Sequence, residues 1–301
     1  MTTDLLDFYT NASLLELGAE ADRVRCEKHP HNTVTYIVDR NINYTNVCVA
    51  DCGFCAFYRR PKHGEGWTLS YEQIGAKIDE AKQLGAIQIL MQGGHNPYIP
   101  FEWYLDLLKY IKTYHPIHIH GFSPSEVDFF AKTFRMDARD VVRELMKAGL
   151  DSIPGGGGEI LVQRVREVQS RTNGFTAFIC WPLQPENTPT MSHMQKTDAV
   201  DYLRTVAIAR IVLDNVPNLQ ASWVTMGLKI GQTALRFGCN DFGSLMIEEN
   251  VVSAANTTHR TTTDEIERLI VDAGFNVARR RQDYTILPGS GPQTPAGSAA
   301  A

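Results

Sequence analysis

Three cysteines within eight residues, Cys48, Cys52 and Cys55, constrain this chain more than any other feature in it. Thiols at Cys-x-x-x-Cys-x-x-Cys spacing converge on one point only if the backbone curls into a loop. Soft sulfur ligands select zinc or an iron–sulfur cluster. The count matters as well, because a structural zinc site closes with four ligands whereas three leave a position open for chemistry. Two closed alternatives stand beside the open one. His63 as a fourth ligand makes a zinc knuckle, and a ferredoxin-type carrier needs a fourth cysteine. With three of the six cysteines clustered, a disulfide framework is excluded, and Cys26, Cys180 and Cys239 read as buried small hydrophobes.

Bulk composition narrows the partners. The 301 residues carry a formal charge of −5, which argues against nucleic-acid binding by bulk electrostatics. The start Met1-Thr2-Thr3-Asp4-Leu5 lacks the basic and apolar halves of a signal peptide, and no apolar run reaches membrane-spanning length. The expectation is a cytoplasmic protein without membrane insertion, in a reducing compartment that suits an oxygen-sensitive cluster.

Around the cysteine loop the chain alternates helix and strand. Residues 4 to 28 predict two short helices, and 33 to 46 an extended segment running into the loop. Ser70 with Gln73 predicts a capping box opening a helix that Gly85 ends, followed by a buried strand over 87–91. The pattern then repeats: helix 101–114, strand 117–120, helix from Asp137 to Gly149, strand 150–154, helix 159–170, strand 175–179. Thr197 opens a helix through Asp214, strand 219–224 follows, then helix 230–237, strand 239–242 and a last helix 264–273. Strands alternating with helices predict an α/β fold, a (β/α) barrel of parallel strands with an N-terminal helical extension. Residues 1–288 read as one domain, and 289–301 as a disordered or non-native tail.

Polar and glycine-rich residues cluster just after strands, where barrels of this kind place their sites. Gln92-Gly93-Gly94 reads either as an ordinary turn or as backbone opened by glycine toward a ligand. Gly155 to Gly158 with Glu159 offers amides for an anion and a carboxylate for hydroxyls, or is simply a flexible turn. Asn240-Asp241 and Glu248-Glu249-Asn250 offer a general base or solvated carboxylates. His95, His118 and His120 sit in or at the ends of strands, as pocket residues or as satisfied core histidines. Trp181 and Trp223 read as packing residues, or as rings that close over a substrate.

The residues Thr35 to Asn46, the cysteine loop with Ala56-Phe57-Tyr58-Arg59, and Gln92-Gly93-Gly94-His95 resemble the cyclic dehypoxanthine futalosine synthase family of radical S-adenosylmethionine (SAM) enzymes. So do Ser152 to Gly157, Phe175 to Phe178, Gln184 to Thr188, Asn240 to Ser244 and Glu248 to Asn250. The resemblance runs to about Ile286. It implies a 4Fe–4S cluster on Cys48, Cys52 and Cys55, with SAM on the open iron. It places Phe54 beside the adenine, Gln92, Gly93 and Gly94 at the SAM amino group, and Glu159 at the SAM ribose. His95, Asn240 and Asp241 become candidates for substrate contact or proton transfer. The implied reaction belongs to menaquinone biosynthesis by the futalosine route. A 5′-deoxyadenosyl radical takes the ribose C4′ hydrogen of dehypoxanthine futalosine, a nucleoside-like small molecule, and the sugar then bonds to the substrate's benzoate ring. The implied partner is an electron donor such as flavodoxin or ferredoxin. Aminofutalosine synthase and the deazaflavin (F0) synthases share the loop and triple glycine, and remain alternatives of the same class.

One departure stands out. The family has a further strand, with its loop and helices, between the helix after the triple glycine and the Gly-Phe-Thr-Ala-Phe strand, whereas here Ser170 is followed at once by Arg171-Thr172-Asn173-Gly174. About seven strands are then predicted where a closed barrel has eight, so the expectation is a barrel lacking one β/α unit. An inactive metal-binding remnant is the alternative from a different functional class.

Overall fold

The computed structural model describes residues 8, 10–155 and 162–290. Its strands are β1 (Thr33–Ile37), β2 (Asp39–Asn43), β3 (Gln88–Gln92), β4 (His118–Gly121), β5 (Ala177–Ile179), β6 (Asn218–Gln220), β7 (Asp241–Ser244) and β8 (Asn276–Arg279). All pairings between them are parallel, in two sheets ordered β5-β6-β7-β1-β8 and β2-β3-β4. The predicted extended segment is thus two strands hinged at Val38. Its first half lies between β7 and β8, and its second half lies beside β3. Past the hinge, Leu245 and Ile247 donate to the carbonyls of Ile37 and Asp39, which carries the sheet on around the barrel wall.

The predicted strand at 150–154 reduces to one parallel bridge, His120 to Ser152. Among the described residues nothing pairs Ser152 with β5, so the wall is open between them. The predicted missing unit falls at this point. Strand β8, unforeseen from sequence, pairs with β1 in register Val34 to Val277.

Helix boundaries follow their caps. Ser13 and Glu16 form a reciprocal capping box ahead of helix Leu14–Lys28, and Ser70 with Gln73 does the same ahead of Tyr71–Gln83. Helix Pro124–Phe134 was absent from the sequence reading, although Ser123 and Glu126 are its capping box. The helix expected from Thr197 is capped instead by Asp198, whose carboxylate accepts the Asp201 amide. The strand expected over 219–224 stops at Gln220, and Trp223–Met226 is a helical turn, with the Trp223 indole donating to the Ser244 carbonyl at 3.0 Å. Of the expected first N-terminal helix, Phe8, Thr10 and Asn11 are described and helical, with Ala12 N donating to the Phe8 carbonyl at 3.0 Å. Residues 1–7 and 9 and the tail from residue 291 lie outside the described residues, while Gly289 and Ser290 are ordered. Cys239 is buried as expected, but Cys26 is exposed.

Side-chain alternation sorts the barrel wall into two faces. Ile42, Ile89, Met91 and Ile119 point outward into an apolar layer with Ile74, Ile78, Leu107, Leu108 and Phe130 of the surrounding helices. Burying each such side chain contributes roughly 1.5–3 kcal/mol. The opposite face is polar. Asp39, Gln88 and His120 lie on it, tied through Gln282: Gln88 donates to Asp39 at 3.0 Å and to Gln282 at 3.1 Å, and Gln282 meets His120 at 3.3 Å. Residues after β8 therefore plug the N-terminal end of the barrel. Arg280 there makes a buried two-pronged ion pair with Asp241, at 2.5 and 2.8 Å.

His120 yields a testable pH dependence. Gln282 can only donate through its amide nitrogen, so His120 Nε2 is the acceptor and Nδ1–H donates to Ser152 Oγ at 2.7 Å. Ser152 in turn donates to His118 Nε2 at 2.9 Å. Burial first, then the nearby His118 and Arg280, lower the His120 pKa to about 4. The unfolded chain, with an ordinary imidazole, takes up this proton first as pH falls. Stability is therefore complete above about pH 6.5 and declines toward pH 4, by at most on the order of 3 kcal/mol. Urea unfolding at pH 7 and pH 5 is expected to show this loss, and His120→Asn to make it shallower, with His29, lowered to about 4 chiefly by burial, keeping a share. An equally steep His120→Asn profile would remove His120 as the cause.

Candidate active site

At the C-terminal ends of β2 and β3, two loops are bonded to each other. After Asn43 the chain leaves the barrel through Tyr44 and Thr45. The cysteine loop is pinched at its base, where Arg59 N donates to the Asn46 carbonyl at 2.7 Å and Cys48 N to the Arg59 carbonyl at 2.9 Å. Asp51 holds a left-handed conformation (φ 53°), and its carboxylate takes the Tyr58 hydroxyl and the Arg60 guanidinium. Cys55 N closes the turn on the Cys52 carbonyl at 3.1 Å, and Thr190 N reaches the Gly53 carbonyl at 3.1 Å from a distant loop.

The Gln92-Gly93-Gly94-His95 loop lies directly against this turn. Gly94 N donates to the Thr45 carbonyl at 2.9 Å, and Val49 N to the His95 carbonyl at 3.0 Å. A Cβ on Gly94 would lie 2.2 Å from the Val47 carbonyl oxygen, and one on Gly93 would lie 2.4 Å from the Tyr44 ring. Both glycines are needed for this close approach.

Cys48 is buried, and its sulfur accepts the His95 amide at 3.2 Å and the Ala50 amide at 3.4 Å. Burial pushes its thiol pKa up, against the pull of those two amides. Cys52 and Cys55 are half-exposed on the same turn. As the side chains stand, no three His, Cys, Asp or Glu groups among the described residues converge on a single metal position. The donor chemistry nevertheless fits a thiolate-held cluster. The three soft ligands share one short loop, and the buried sulfur already receives the N–H contacts that stabilise charge on a ligand sulfur.

The amides of Gly93, Gly94 and His95 all donate within the chain, to Glu126, Thr45 and Cys48. Among the described residues the Gly93 and Gly94 carbonyls have no partner. A surface of acceptors suits an ammonium group, as the amino-acid part of SAM requires.

The other residues expected at the site separate. Phe54 is an exposed ring on the cysteine loop, and Gln92 ends β3 on the polar face. The His95 ring stacks on Phe129 at 4.8 Å, and burial lowers its pKa. Glu159 and Gly156 to Gly158 lie outside the described residues. Asn240 and Asp241 are buried and bonded on every side. The Asn240 carbonyl oxygen accepts Arg210 at 2.6 Å and Leu219 N at 2.9 Å, and its amide donates to Asn218 at 2.8 Å. Asp241 holds Arg280, Thr35 and Gly243 N. These contacts give both residues a part in holding the sheet together.

Two polar groups were missed from sequence. Asn41 lies on the same polar face as Asp39, 5% exposed, and its carbonyl oxygen has no partner among the described residues. The alternation of polar residues at 39, 41 and 43 was its available signal. Glu126 lies buried behind Gly93, and its signal was the capping box at Ser123. A cavity of about 440 Å³ opens beside Asn43, lined by Phe57, Trp67, Lys77, Glu248 and Asn250.

Comparison with known proteins matches residues 42–173 to the radical SAM superfamily and residues 172–291 to the CofH/MqnC C-terminal region. Cyclic dehypoxanthine futalosine synthase from Halalkalibacterium halodurans is 43% identical, covering 94% of this chain and 90% of that protein. The chain belongs to the CofH/MqnC family of radical SAM enzymes. The family's member from Streptomyces coelicolor, also a cyclic dehypoxanthine futalosine synthase, is 38% identical over 94% of this chain and 84% of its own length. A 5-amino-6-(D-ribitylamino)uracil–L-tyrosine 4-hydroxyphenyl transferase from Methanopyrus kandleri is 34% identical over 83% of this chain and 84% of its own.

Radical SAM membership brings a 4Fe–4S cluster and SAM as cofactors. The barrel itself resembles the crystal structure of methylornithine synthase (PylB), with a TM-score of 0.65 at 16% identity over 93% of this chain and 94% of that one. The match to the Halalkalibacterium protein runs over 335 aligned positions, more than the whole length of this CofH/MqnC family chain. The relative therefore has residues with no counterpart here, which agrees with the open wall between Ser152 and β5. No helix among the described residues is long and apolar enough to cross a membrane.

Proposed function

We propose that this chain is a radical SAM cyclase that converts dehypoxanthine futalosine to its cyclic product. The observation that carries this reading is the interlocked pair of loops, a three-cysteine turn bonded to a glycine loop with only acceptors left over. The 43% identity to a cyclic dehypoxanthine futalosine synthase supplies the substrate. Cys48, Cys52 and Cys55 would hold the cluster, with Gly93 and Gly94 facing the amino group of SAM. When bound, the two cofactors supply the 5′-deoxyadenosyl radical that takes a hydrogen from the substrate ribose.

The remaining work falls to the chain. The polar face of β2 and β3, with the Asn41 oxygen unpartnered among the described residues, orients a heteroatom-rich substrate, and the outer apolar layer shields the β2-β3-β4 side of the wall from water. His95, held flat on Phe129, lies between the two loops as a candidate for substrate contact. The exposed side of the cysteine loop faces a low-potential electron carrier such as flavodoxin or ferredoxin.

The open wall favours a second reading, a barrel that keeps its metal loop but has lost turnover. One experiment separates the two. The chain is reconstituted anaerobically with iron and sulfide, reduced, and given SAM with dehypoxanthine futalosine. About four irons per chain, release of 5′-deoxyadenosine and a product two hydrogens lighter are expected. Adenosyl retained in the product points to aminofutalosine synthase chemistry instead. Zinc content without SAM cleavage leaves the remnant.

A further inference from the structure

Glu126 is a buried carboxylate, 2% exposed, with four neutral donors on its two oxygens. Oε1 accepts the Tyr44 hydroxyl at 2.7 Å and Gly93 N at 3.1 Å. Oε2 accepts Ser123 N and Ser123 Oγ, both at 2.8 Å. Removing a carboxylate from water is costly, and here it is offset by neutral hydrogen bonds and by the N-terminus of the eleven-residue helix Pro124–Phe134. One of those bonds leaves the helix and reaches the glycine loop.

The Gln92–Gly93 peptide is trans, so its N–H and C=O point in opposite directions. Glu126 takes the N–H, and Asn43 Nδ2 donates to the C=O at 3.2 Å. The peptide is thus pinned on both sides, which fixes the direction of the chain into Gly93 and Gly94. Glycine has no side chain to resist rotation, so the hydrogen bonds must define the orientation. On the functional reading above, we propose that Glu126 is a positioning residue. Acting through the Gly93 amide, it orients the acceptor face that Gly93 and Gly94 present to the ammonium group of SAM.

Glu126→Met tests this, because it keeps the side chain's bulk and removes the only acceptor that the Gly93 amide has among the described residues. The measurement is equilibrium dialysis of the cluster-loaded full chain against two probes, SAM and methylthioadenosine. The second shares the adenosine and sulfur but lacks the amino-acid part. SAM binding is expected to weaken about tenfold or more, as for a buried donor left unsatisfied, while methylthioadenosine stays within about twofold of wild type. Iron content and circular dichroism verify the fold. Should Glu126→Met fail to load iron, Asn43→Ala frees the other side of the same peptide and is expected to show the same selective loss. Equal weakening of both probes, or no weakening of SAM, overturns the proposal. A wild-type chain that binds no SAM overturns the functional reading and the proposal with it.

Discussion

Replacing Cys52 or Cys55 with Ala is expected to abolish iron loading and reduce SAM cleavage to background, with the thermal midpoint of the polypeptide almost unchanged. Both thiols are half-exposed on a turn whose shape is set by backbone bonds, from Cys55 N to the Cys52 carbonyl and from Thr190 N to the Gly53 carbonyl. Substitutions at such positions change stability by about 0.5 kcal/mol or less. Cys48→Ala should behave differently. Its buried sulfur accepts two amides, so its loss costs about 1 kcal/mol in addition to the cluster. Cys26→Ala, outside the loop, serves as the control for iron content, which should stay as it is. Loss of its sulfur as acceptor for the buried Arg25 guanidinium at 3.0 Å is expected to lower the midpoint slightly. Iron assay, SAM cleavage and thermal melts on the four variants check this together. Full iron loading in Cys52→Ala would sink the assignment of that ligand.

Arg280→Met is expected to destabilise the chain by about 3–5 kcal/mol, the usual cost of leaving a buried charge unpaired. For a chain of this size that lowers the midpoint by roughly 5–8 °C. Arg280 and Asp241 are 3% and 0% exposed, so water cannot replace the missing partner. Thr35 Oγ1 and Gly243 N still bond Asp241 in the variant but carry no positive charge. Adding Asp241→Asn to Arg280→Met removes the orphaned charge and should recover part of the loss. Thermal melts of wild type, both single variants and the double variant make the complete cycle. If Asp241→Asn leaves the midpoint untouched and stops turnover alone, Asp241 acts in catalysis rather than in holding β7 to the segment after β8.

Legibility differed from element to element for physical reasons. The capping boxes at Ser70 and the long amphipathic helix 101–114 were readable because their signals are local, three or four residues apart. The box at Ser123 was equally local and was passed over, because the dense aromatic run Phe129-Phe130 and Phe134 hides the helical period. Strand β8 was missed because Asn276–Arg279 is short and weakly apolar, and exists only by pairing with β1. The stop after Gln220 was missed for the opposite reason. Ala221 to Val224 looks strand-like, but Trp223 turns inward to donate to Ser244, and that contact decides the backbone.

The sequence by itself determined the chemistry available to this protein. Three thiols at close spacing point to a metal or cluster, and a glycine pair after a buried strand permits close backbone approach. Both signals rest on covalent spacing, which no fold can alter. Tertiary structure alone decided which polar residues stand free and which are consumed. Asn240 and Asp241 read as candidates because polar residues cluster at strand ends, yet Arg210, Leu219 N and Asn218 occupy the first, and Arg280, Thr35 and Gly243 N the second. Glu126 has only the spacing of a capping partner for Ser123, and folding alone sets it against Gly93. Hydrogen-bond satisfaction depends on partners that the fold brings together, so it cannot be read from residue type or spacing.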